Sequence, residues 1–361
     1  MERTLLLRML DYIIENKCSD LHIIANMKPY VRRYGEINPI QEFDVLRKSD
    51  IEENLIEEIL YGQELKRKEL FEMAQVDMSF ETPEERRFRV NIFTQKGFKG
   101  IVIRSIETKV PSLLDLGLPD AVQTFTKLHS GLVLVTGPTG SGKSTTLASI
   151  IDLINQTQKK HILTIEDPIE YVHPNKLSIV NQREVGQDVD SFSSAVKASL
   201  REDPDIVLVG EMRDLDTIQN AIRVAETGHL VFGTLHTISA PKSIDRIIDV
   251  FEPKAQQQIR TQLSTVLQGI VSQRLIPKIG GGVIASIELM IVTDAMRGII
   301  RDGRNISGLS DAISMNKQKL GSQTMDQALA ELFIAKKITL DTAYSFASDI
   351  ESFKRLIVST R

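Results

Sequence analysis

The sequence predicts an α/β protein in which a small N-terminal α+β domain precedes a domain built on a mainly parallel sheet. Three consecutive stretches before residue 106 alternate polar and apolar residues, which is typical of an antiparallel meander. From Pro119 onward short apolar runs alternate with helical patterns, which favours parallel strands with crossover helices. After Thr293 the pattern is helical to the end. The predicted domains are 1–108 and 119–292, with a linker at 109–118 and a helical C-terminal region at 293–361.

The composition bounds the class of protein. A chain of 361 residues is long enough for two domains, and 42% hydrophobic with 25% charged residues is an ordinary soluble balance. The net charge of −4 gives no basic footprint, so we expect no nucleic-acid partner. The only cysteine, Cys18, excludes an internal disulfide and a cysteine-rich zinc site. No apolar run approaches the roughly 20 residues that span a bilayer, and the charged N-terminus is unlike a signal peptide. We therefore expect a cytoplasmic location.

The first domain combines helical and strand patterns. Apolar spacing predicts a first helix ending near Asn16, a helix after Ser49 and a charged helix over 64–73. SDLHIIA indicates one strand, and KPYVRRYGEINPI indicates two short strands joined at Tyr34-Gly35. The meander comprises QVDMSFE, RFRVNIFTQ and GIVIRSI, with turns at 82–85 and 96–100.

The second domain follows a linker that contains two prolines and a glycine without clear periodicity, KVPSLLDLGLP. One long amphipathic helix is predicted over 253–275. The predicted strands span 132–136, 161–165, 206–209, 230–234 and 283–291.

One motif organises the second domain, LVLVTGPTGSGKSTTLASI at 132–150. It is G-x-x-x-x-G-K-[ST] in the strand–loop–helix context that the motif requires. Backbone N–H groups of such a loop and the helix N-terminus cradle phosphates. Lys143 would reach the β- and γ-phosphates and Ser144 would bind Mg²⁺, so we expect ATP and Mg²⁺ as cofactors. The predicted nucleotide-binding residues are Gly137, Pro138, Thr139, Gly140, Ser141, Gly142, Lys143, Ser144 and Thr145.

Acidic residues follow two further predicted strands, at the edge where ligands bind in open α/β sheets. In ILTIEDPIEY the strand ends at Glu166, a candidate general base for water. Asp167 and Glu170 are weaker candidates, because they could cap or pair instead. In DPDIVLVGEMRD, Glu211 follows a buried strand and is the candidate that holds Mg²⁺. Arg213 pairs with Glu211 or Asp214, or acts in a subunit contact.

Histidines and arginines complete the set of candidates. TGHLVFGTLHT places His236 after a strand, at the P-loop edge, where it could sense the γ-phosphate. His229 precedes that strand and is expected at the far edge. Arg87, Arg89 and Arg104 lie on the meander. They form either a solvated face paired with Glu84 and Glu85 or an arginine finger for a neighbouring subunit's nucleotide.

Four motifs in order resemble the secretion ATPase superfamily, and within it the PilT group of type IV pilus retraction motors. They are GPTGSGKST, HILTIEDPIEYVH with VNQREVG, DPDIVLVGEMRD, and ETGHLVFGTLHT with SIDRIIDVF. SDLHI, RFRVNIFTQ and TMDQALAELFIAKKIT resemble the family's N-terminal domain, arginine-bearing strand and C-terminal tail. The resemblance thus covers nearly the whole chain.

This resemblance implies a PAS-like domain followed by a RecA-like P-loop ATPase domain, assembled as a homohexamer. It implies ATP hydrolysis that drives pilus retraction and twitching motility at the inner face of the cytoplasmic membrane. The implied partners are an inner-membrane pilus platform protein and, as a further candidate, a paralogous pilus ATPase. The family's nucleotide lies between its two domains and N-terminal-domain arginines reach the phosphates. Carried over, the resemblance implies catalytic roles for Arg87, Arg89, Arg104, Glu166, Glu211, His229 and His236.

Two stretches depart from the family pattern. TQKGFKG at 94–100 lacks an expected arginine, for which Lys96 or Lys99 is a poor substitute. AMRGIIRD at 295–302 stands where the retraction group has AIRNLIRE, so a glycine replaces a better helix former.

Three rival functions remain open from the sequence. An ATPase for pilus extension or type II secretion usually carries a tetracysteine zinc module and a longer N-terminal region. A regulatory nucleotide-binding subunit without hydrolysis would be favoured by degraded catalytic groups, which are intact here. A nucleic-acid translocase shares the core, but the chain is slightly acidic.

Overall fold

The computed structural model describes residues 3–33, 36–84, 86–106 and 109–359. The chain divides into two compact units, Met1–Lys109 and Val110–Arg361. This division falls close to the predicted end of the first domain. The predicted α/β class, with an antiparallel sheet in the first unit and a mainly parallel sheet in the second, is confirmed.

The first unit is a six-stranded antiparallel sheet with helices on one face. Its strand order is β3-β2-β1-β6-β5-β4, and the predicted meander is β4, β5 and β6. The predicted turn at Tyr34-Gly35 and residue Glu85 lie outside the described residues. The elements are α1 (Leu5–Glu15), β1 (Asp20–Ile24), β2 (Tyr30–Arg33), β3 (Glu36–Pro39), a π-helical segment Asp50–Leu55 leading into α2 (Ile56–Ile59), α3 (Glu64–Met73), β4 (Gln75–Glu81), β5 (Arg87–Gln95) and β6 (Phe98–Ser105).

Residue alternation gives this sheet one apolar and one polar face. Leu21, Val90 and Ile103 are fully buried in a core shared with the apolar stripe of α1. Their sequence neighbours point the other way because successive strand side chains alternate between faces. The opposite face carries Asp20, Arg89 and Arg104, and it is therefore the polar face of the unit.

The second unit is a seven-stranded sheet in the order β13-β12-β7-β11-β10-β8-β9, covered on both faces. Six strands are parallel and β13 is antiparallel to β12. A 3₁₀-helical segment, Asp120–Lys127, precedes the sheet. The elements are β7 (Gly131–Thr136), α4 (Lys143–Thr157), β8 (His161–Glu166), β9 (Ile179–Glu184), α5 (Phe192–Ser199), β10 (Ile206–Val209), α6 (Leu215–Glu226), β11 (Leu230–Leu235), α7 (Ala240–Asp249), α8 (Pro253–Val266), β12 (Leu267–Pro277) and β13 (Val283–Ile291).

The prediction of one helix over 253–275 is wrong. Helix α8 ends at Val266, and the following residues form the eleven-residue strand β12 between β7 and β13. Leu267, Ile270 and Val271 are fully buried, and their spacing fits a helix as well as a central strand. This segment is a strand because it pairs with β7 on one side and β13 on the other. The spacing of apolar residues does not reveal such pairing.

The segment predicted as a linker packs largely on the second unit. Leu113 and Leu118 are buried in one of its cores. The carbonyl oxygen of Pro111 accepts a hydrogen bond of 2.7 Å from Ser149 Oγ on α4. The leucines in this segment are therefore part of a core.

The C-terminal region consists of short helices. Of the helices in the described part of the chain, none has the length and apolar character needed to cross a membrane. The helices of the C-terminal region are α9 (Asp294–Asp302), α10 (Gly308–Met315), α11 (Lys317–Leu320), α12 (Met325–Ile334), α13 (Leu340–Phe346) and α14 (Ile350–Ser359).

Helix α9 contains the AMRGIIRD stretch and holds the end of α8. Arg297 Nη1 donates to the carbonyl oxygens of Ser264, Thr265 and Leu267 at 2.7–3.0 Å. These carbonyls lie at the end of α8, where intrahelical donors run out. Gly298 is exposed, and a Cβ there would meet open space. The departure from the family pattern therefore leaves the capping arginine in place.

Candidate functional site

The predicted phosphate-binding loop connects β7 to α4 at the carboxyl end of the central strand. Gly140 and Gly142 have positive φ values of 76° and 86°, which glycine adopts without steric cost. Lys143 Nζ donates to the carbonyl oxygens of Gly137 and Pro138 at 3.0 and 3.1 Å. Burial lowers the pKa of Lys143, while the charges of Glu211 and Glu170 act in the opposite direction. The lysine ammonium is thus folded over its own loop and lies within the electrostatic reach of two carboxylates.

Gln273 on β12 supports this loop from the adjacent strand. Its side-chain amide donates to the Ser141 carbonyl oxygen at 2.6 Å and accepts from Thr146 Oγ1 at 2.8 Å. A Cβ at Gly137 would lie 2.3 Å from the Gln273 carbonyl oxygen, and one at Gly142 would lie 2.8 Å from its Nε2. Two motif glycines are therefore required by the neighbouring strand as well as by the turn.

Glu166, the predicted general base, ends β8 at the same sheet edge. Oε1 accepts hydrogen bonds from Thr164 Oγ1 at 2.7 Å and Gln182 Nε2 at 3.1 Å. Burial is the main cause that raises the pKa of Glu166 to about 7, and these hydrogen bonds oppose it. A carboxyl group with this pKa can take a proton from water near neutral pH and release it again.

Gln182 links Glu166 to the loop that follows β8. It lies opposite Thr164 in the β8–β9 register and also donates to the Tyr171 carbonyl oxygen at 2.8 Å. The Tyr171 hydroxyl lies 3.1 Å from Thr145 Oγ1 at the start of α4. One chain of hydrogen bonds therefore joins the candidate base to the first turn of the P-loop helix.

Glu211 and His236 meet beyond the ends of β10 and β11. His236 Nε2 lies 2.8 Å from Glu211 Oε1, and Arg213 forms an ion pair with the same oxygen. Arg213 therefore pairs with Glu211, whereas Asp214 caps α6 through the Thr217 N–H at 2.8 Å. A Cβ at Gly210 would lie 3.2 Å from the Glu166 Cα. This close approach brings the ends of β10 and β8 together.

The structure separates the two histidines of the predicted motif. His229 precedes β11, and its Nδ1 lies 3.1 Å from both Thr227 Oγ1 and the Val224 carbonyl oxygen. Because β11 is parallel to β7, His229 lies at the sheet edge opposite the P-loop. Within one chain, His236 is brought to the candidate site and His229 is not.

The candidate arginines belong to the first unit, where they lie on its polar face. Arg89 and Arg104 are directly opposite on β5 and β6, and Asp20 is opposite Arg104 on β1. Arg104 Nη2 lies 2.8 Å from Asp20 Oδ1, and Arg89 Nη2 lies 3.3 Å from Asp77 Oδ2. Arg87 Nε lies 3.6 Å from Glu81 Oε2, and its side chain is only 16% exposed. Arg89 and Arg104 thus present the more accessible guanidinium groups.

The residues present suit a magnesium–nucleotide complex. In the described part of the chain there is no cluster of three or more His, Cys, Asp or Glu side chains able to hold a metal ion. Mg²⁺ usually binds one or two carboxylates together with phosphate oxygens and waters, so it needs no such cluster. Ser144 and Glu211 carry hard oxygen atoms of the kind that this arrangement would require.

Two residues that hold the candidate site in place are not indicated by the sequence patterns. Gln182 is part of the quoted VNQREVG stretch but received no role, because β9 itself was not predicted. Gln273 was assigned to a helix. Each glutamine stands between two polar residues, Asn181 and Arg183 or Ser272 and Arg274, so no local pattern singles it out.

This strand–loop–helix geometry, on a parallel sheet with acidic residues at neighbouring strand ends, defines a P-loop protein. Residues 1–286 match the family model described as "Type II/IV secretion system protein", and the chain belongs to that family.

Several of the similar proteins found are pilus proteins. The chain is 45% identical over 347 residues to "Type IV pilus retractation ATPase PilT" of Pseudomonas aeruginosa, covering 96% of this chain and 98% of the relative. It is 44% identical over 332 residues to "Twitching motility protein" of Neisseria gonorrhoeae, covering 91% and 87%. A crystal structure of the pilus retraction motor PilT with bound ADP matches with a TM-score of 0.91 and 46% identity, covering 98% of this chain and 100% of the other. The resemblance to retraction ATPases is confirmed.

The raised pKa of Glu166 predicts that this residue makes the folded protein less stable as pH rises. The carboxyl titrates near 4.5 in an unfolded chain and at about 7 in the fold, so the folded state holds an extra proton between these values. The free energy of unfolding of the wild type should therefore fall relative to Glu166→Gln as pH rises through this window, by up to about 3 kcal/mol. Urea unfolding of both full-length proteins between pH 4.5 and 8 measures the difference.

Asp205→Asn is the matched control, because this carboxylate lies at the opposite edge of the same sheet. Burial alone would raise its pKa, but hydrogen bonds from Lys160 and the His161 N–H outweigh that effect, and the pKa is lowered. The stability difference caused by Asp205→Asn should be flat over the same pH range. A flat difference for Glu166→Gln as well would contradict the prediction.

Proposed function

We propose that this protein is an ATP-hydrolysing motor of type IV pilus retraction. The observation that carries the proposal is the convergence of the P-loop, Glu166 and the Glu211–His236 pair at one sheet edge. It is supported by the similarity to retraction ATPases over nearly the whole chain and by the ADP bound in the related crystal structure. The proposal includes a location at the inner face of the cytoplasmic membrane, with a pilus platform protein there as partner.

The proposed chemistry assigns a task to each group. The P-loop amides and Lys143 bind the β- and γ-phosphates, and Ser144 and Glu211 would hold Mg²⁺. The metal supplies charge neutralisation on the phosphate oxygens. Glu166 accepts a proton from the attacking water while the water oxygen bonds to the γ-phosphorus and the bond to the bridging oxygen of ADP breaks. His236 contacts Glu211 and is placed to respond when the γ-phosphate leaves.

The arginine face of the first unit is proposed to complete the site across a ring of six subunits. Arg89 and Arg104 are the favoured donors, because their guanidinium groups are the more exposed. The Arg89–Asp77 pair is exposed on both sides, and such a pair contributes little stability, so Arg89 can exchange its carboxylate for a phosphate at small cost. The partner of Arg104, Asp20, is buried, so an exchange by Arg104 costs more. We propose a role for His229 only at a contact between subunits, since it lies far from the P-loop of the same chain.

Hydrolysis tests the enzymatic part of the proposal. The purified full chain should release phosphate from ATP with Mg²⁺. Glu166→Gln and Glu211→Ala should each lower kcat at least about 100-fold, because they remove the base and the metal ligand. Glu226→Ala, at the far end of α6, is a matched acidic control and should retain activity. Absence of phosphate release by the wild type under every nucleotide and magnesium condition would favour a regulatory binding subunit.

Mixed rings test whether the arginines act on a neighbouring subunit. Lys143→Ala has a defective P-loop but intact arginines, whereas Arg89→Ala/Arg104→Ala has the reverse. If the arginines serve the neighbour, an equal mixture should recover activity at about a quarter of the interfaces, although each variant alone is inactive. If the mixture stays as inactive as its components, the arginines act within one chain. If Arg89→Ala/Arg104→Ala is active by itself, the two arginines have no catalytic role. Phosphate release after subunit exchange is the measurement.

Deletion of the gene tests the direction of the motor. Retraction predicts surface pili in excess together with loss of twitching, since pili would still assemble but not withdraw. Electron microscopy of surface pili and a twitching assay measure the two effects, and restoration by the wild-type gene but not by Glu166→Gln is the control. Loss of surface pili would instead indicate an extension ATPase.

A further inference from the structure

A buried carboxylate on β13 lies between the P-loop edge and the C-terminal helices. Glu288 is only 5% exposed and is opposite Ser272 of β12 in register. Ser272 Oγ lies 2.9 Å from Thr136 Oγ1, which ends β7 directly before the P-loop. Glu288 therefore sits two strands away from the phosphate-binding loop, inside the protein.

Glu288 lies close to the first residues of two helices. Its Oε1 accepts the backbone N–H of Ala240, at the start of α7, at 2.7 Å. The backbone of Met325, at the start of α12, also acts to lower the pKa of this carboxyl group. First-turn N–H groups have no intrahelical acceptor, and a helix N-terminus carries partial positive charge, so one carboxylate stabilises both ends.

Helix α7 depends on Glu288 more than α12 does. Thr324 and Gln327 form a capping box for α12. The side chain of Ser239, the N-cap of α7, makes no capping bond within the described residues. Helix α7 begins four positions after His236, the residue that contacts Glu211. The segment 236–239 is thus held between Glu211 at one end and Glu288 at the other.

Residues around Glu288 connect it to the last helices of the chain. Burial raises the pKa of Glu288; the nearby Asp326 adds to this, and the two backbone donors and Arg274 oppose it. Asp326 accepts the backbone N–H groups of Ser348 and Asp349 at 2.7 and 3.0 Å. These two residues lie between α13 and α14, so Asp326 of α12 binds the connection between the last two helices.

We propose that Glu288 is a positioning residue that fixes the start of α7, and through it His236, relative to the C-terminal helices. The inference rests on the proposed ATPase function and deepens it. A displacement of His236 when the phosphate leaves is then transmitted through Ala240 and Glu288 to the first turn of α12. The C-terminal helices thereby sense the state of the nucleotide.

The test compares Glu288→Gln and Glu288→Ala with Ser286→Ala in the full chain. Ser286 is the matched control, because it lies two positions away on the same strand, is 1% exposed, and its hydroxyl donates to α12 at Met325 Sδ at 3.2 Å. Hydrogen exchange by mass spectrometry reports on peptides from α7 and α12. Phosphate release gives kcat and KM, a fluorescent ADP analogue gives nucleotide affinity, and circular dichroism reports folding.

The proposal expects faster exchange at both α7 and α12 in Glu288→Gln, since an amide offers one acceptor oxygen and turns its NH₂ toward the second donor. We expect kcat to fall at least about tenfold, with KM and nucleotide affinity within about threefold of wild type. Ser286→Ala should leave α7 exchange and kcat unchanged. If Glu288→Ala does not fold, the isosteric Gln variant carries the test.

Three results would overturn the proposal. They are unchanged α7 exchange in Glu288→Gln, an unchanged kcat despite faster exchange, and lost nucleotide binding in a folded Glu288→Gln, since the last would place its effect on the P-loop. If the wild type hydrolyses no ATP, the proposed ATPase function fails by itself. The exchange comparison at α7 and α12 then still decides whether Glu288 links the two helices.

Discussion

The tight contact between the phosphate-binding loop and β12 is the constraint on which the rest of the site depends. Gln273 binds the loop at Ser141 and the helix at Thr146, and it leaves no room for a Cβ at Gly137 or Gly142. A buried amide whose donor and acceptor are both used holds its partners in one geometry, because breaking either bond leaves an unpaired polar group. The loop amides are thereby fixed before any phosphate arrives.

Two carboxylates at neighbouring strand ends have different environments and so suit different tasks. Glu166 is half-buried and has only neutral hydrogen-bond donors, so burial raises its pKa to about 7. Glu211 has a guanidinium and an imidazole on the same oxygen. A group that exchanges a proton near neutral pH suits a base, and a group paired with a guanidinium suits a charge-balancing role beside phosphates. Environment, and not residue type, separates the two roles.

The sequence predicts the part of this site that depends on local patterns. The P-loop, Glu166, Glu211 and His236 each follow a short apolar run, and parallel strands bring such positions to one edge. Gln182, Gln273 and Glu288 depend on which strands are neighbours, and β9 and β12 were not predicted. A strand paired on both sides, such as β12, has the same apolar spacing as a buried helix. Only the tertiary pairing, which is non-local, distinguishes the two.

The departure at AMRGIIRD acts on the surface of α9 and not on its packing. Met296 and Ile300 remain fully buried, and Arg297 still caps α8 through three carbonyl oxygens. Gly298 faces solvent, so the missing side chain changes helix propensity and the outer face only. Since α8 ends where β12 begins, Arg297 also fixes the entry to the strand that carries Gln273. The residues of this motif that pack on α8 therefore support the nucleotide site from a distance. The exposed position, Gly298, can differ without changing that packing.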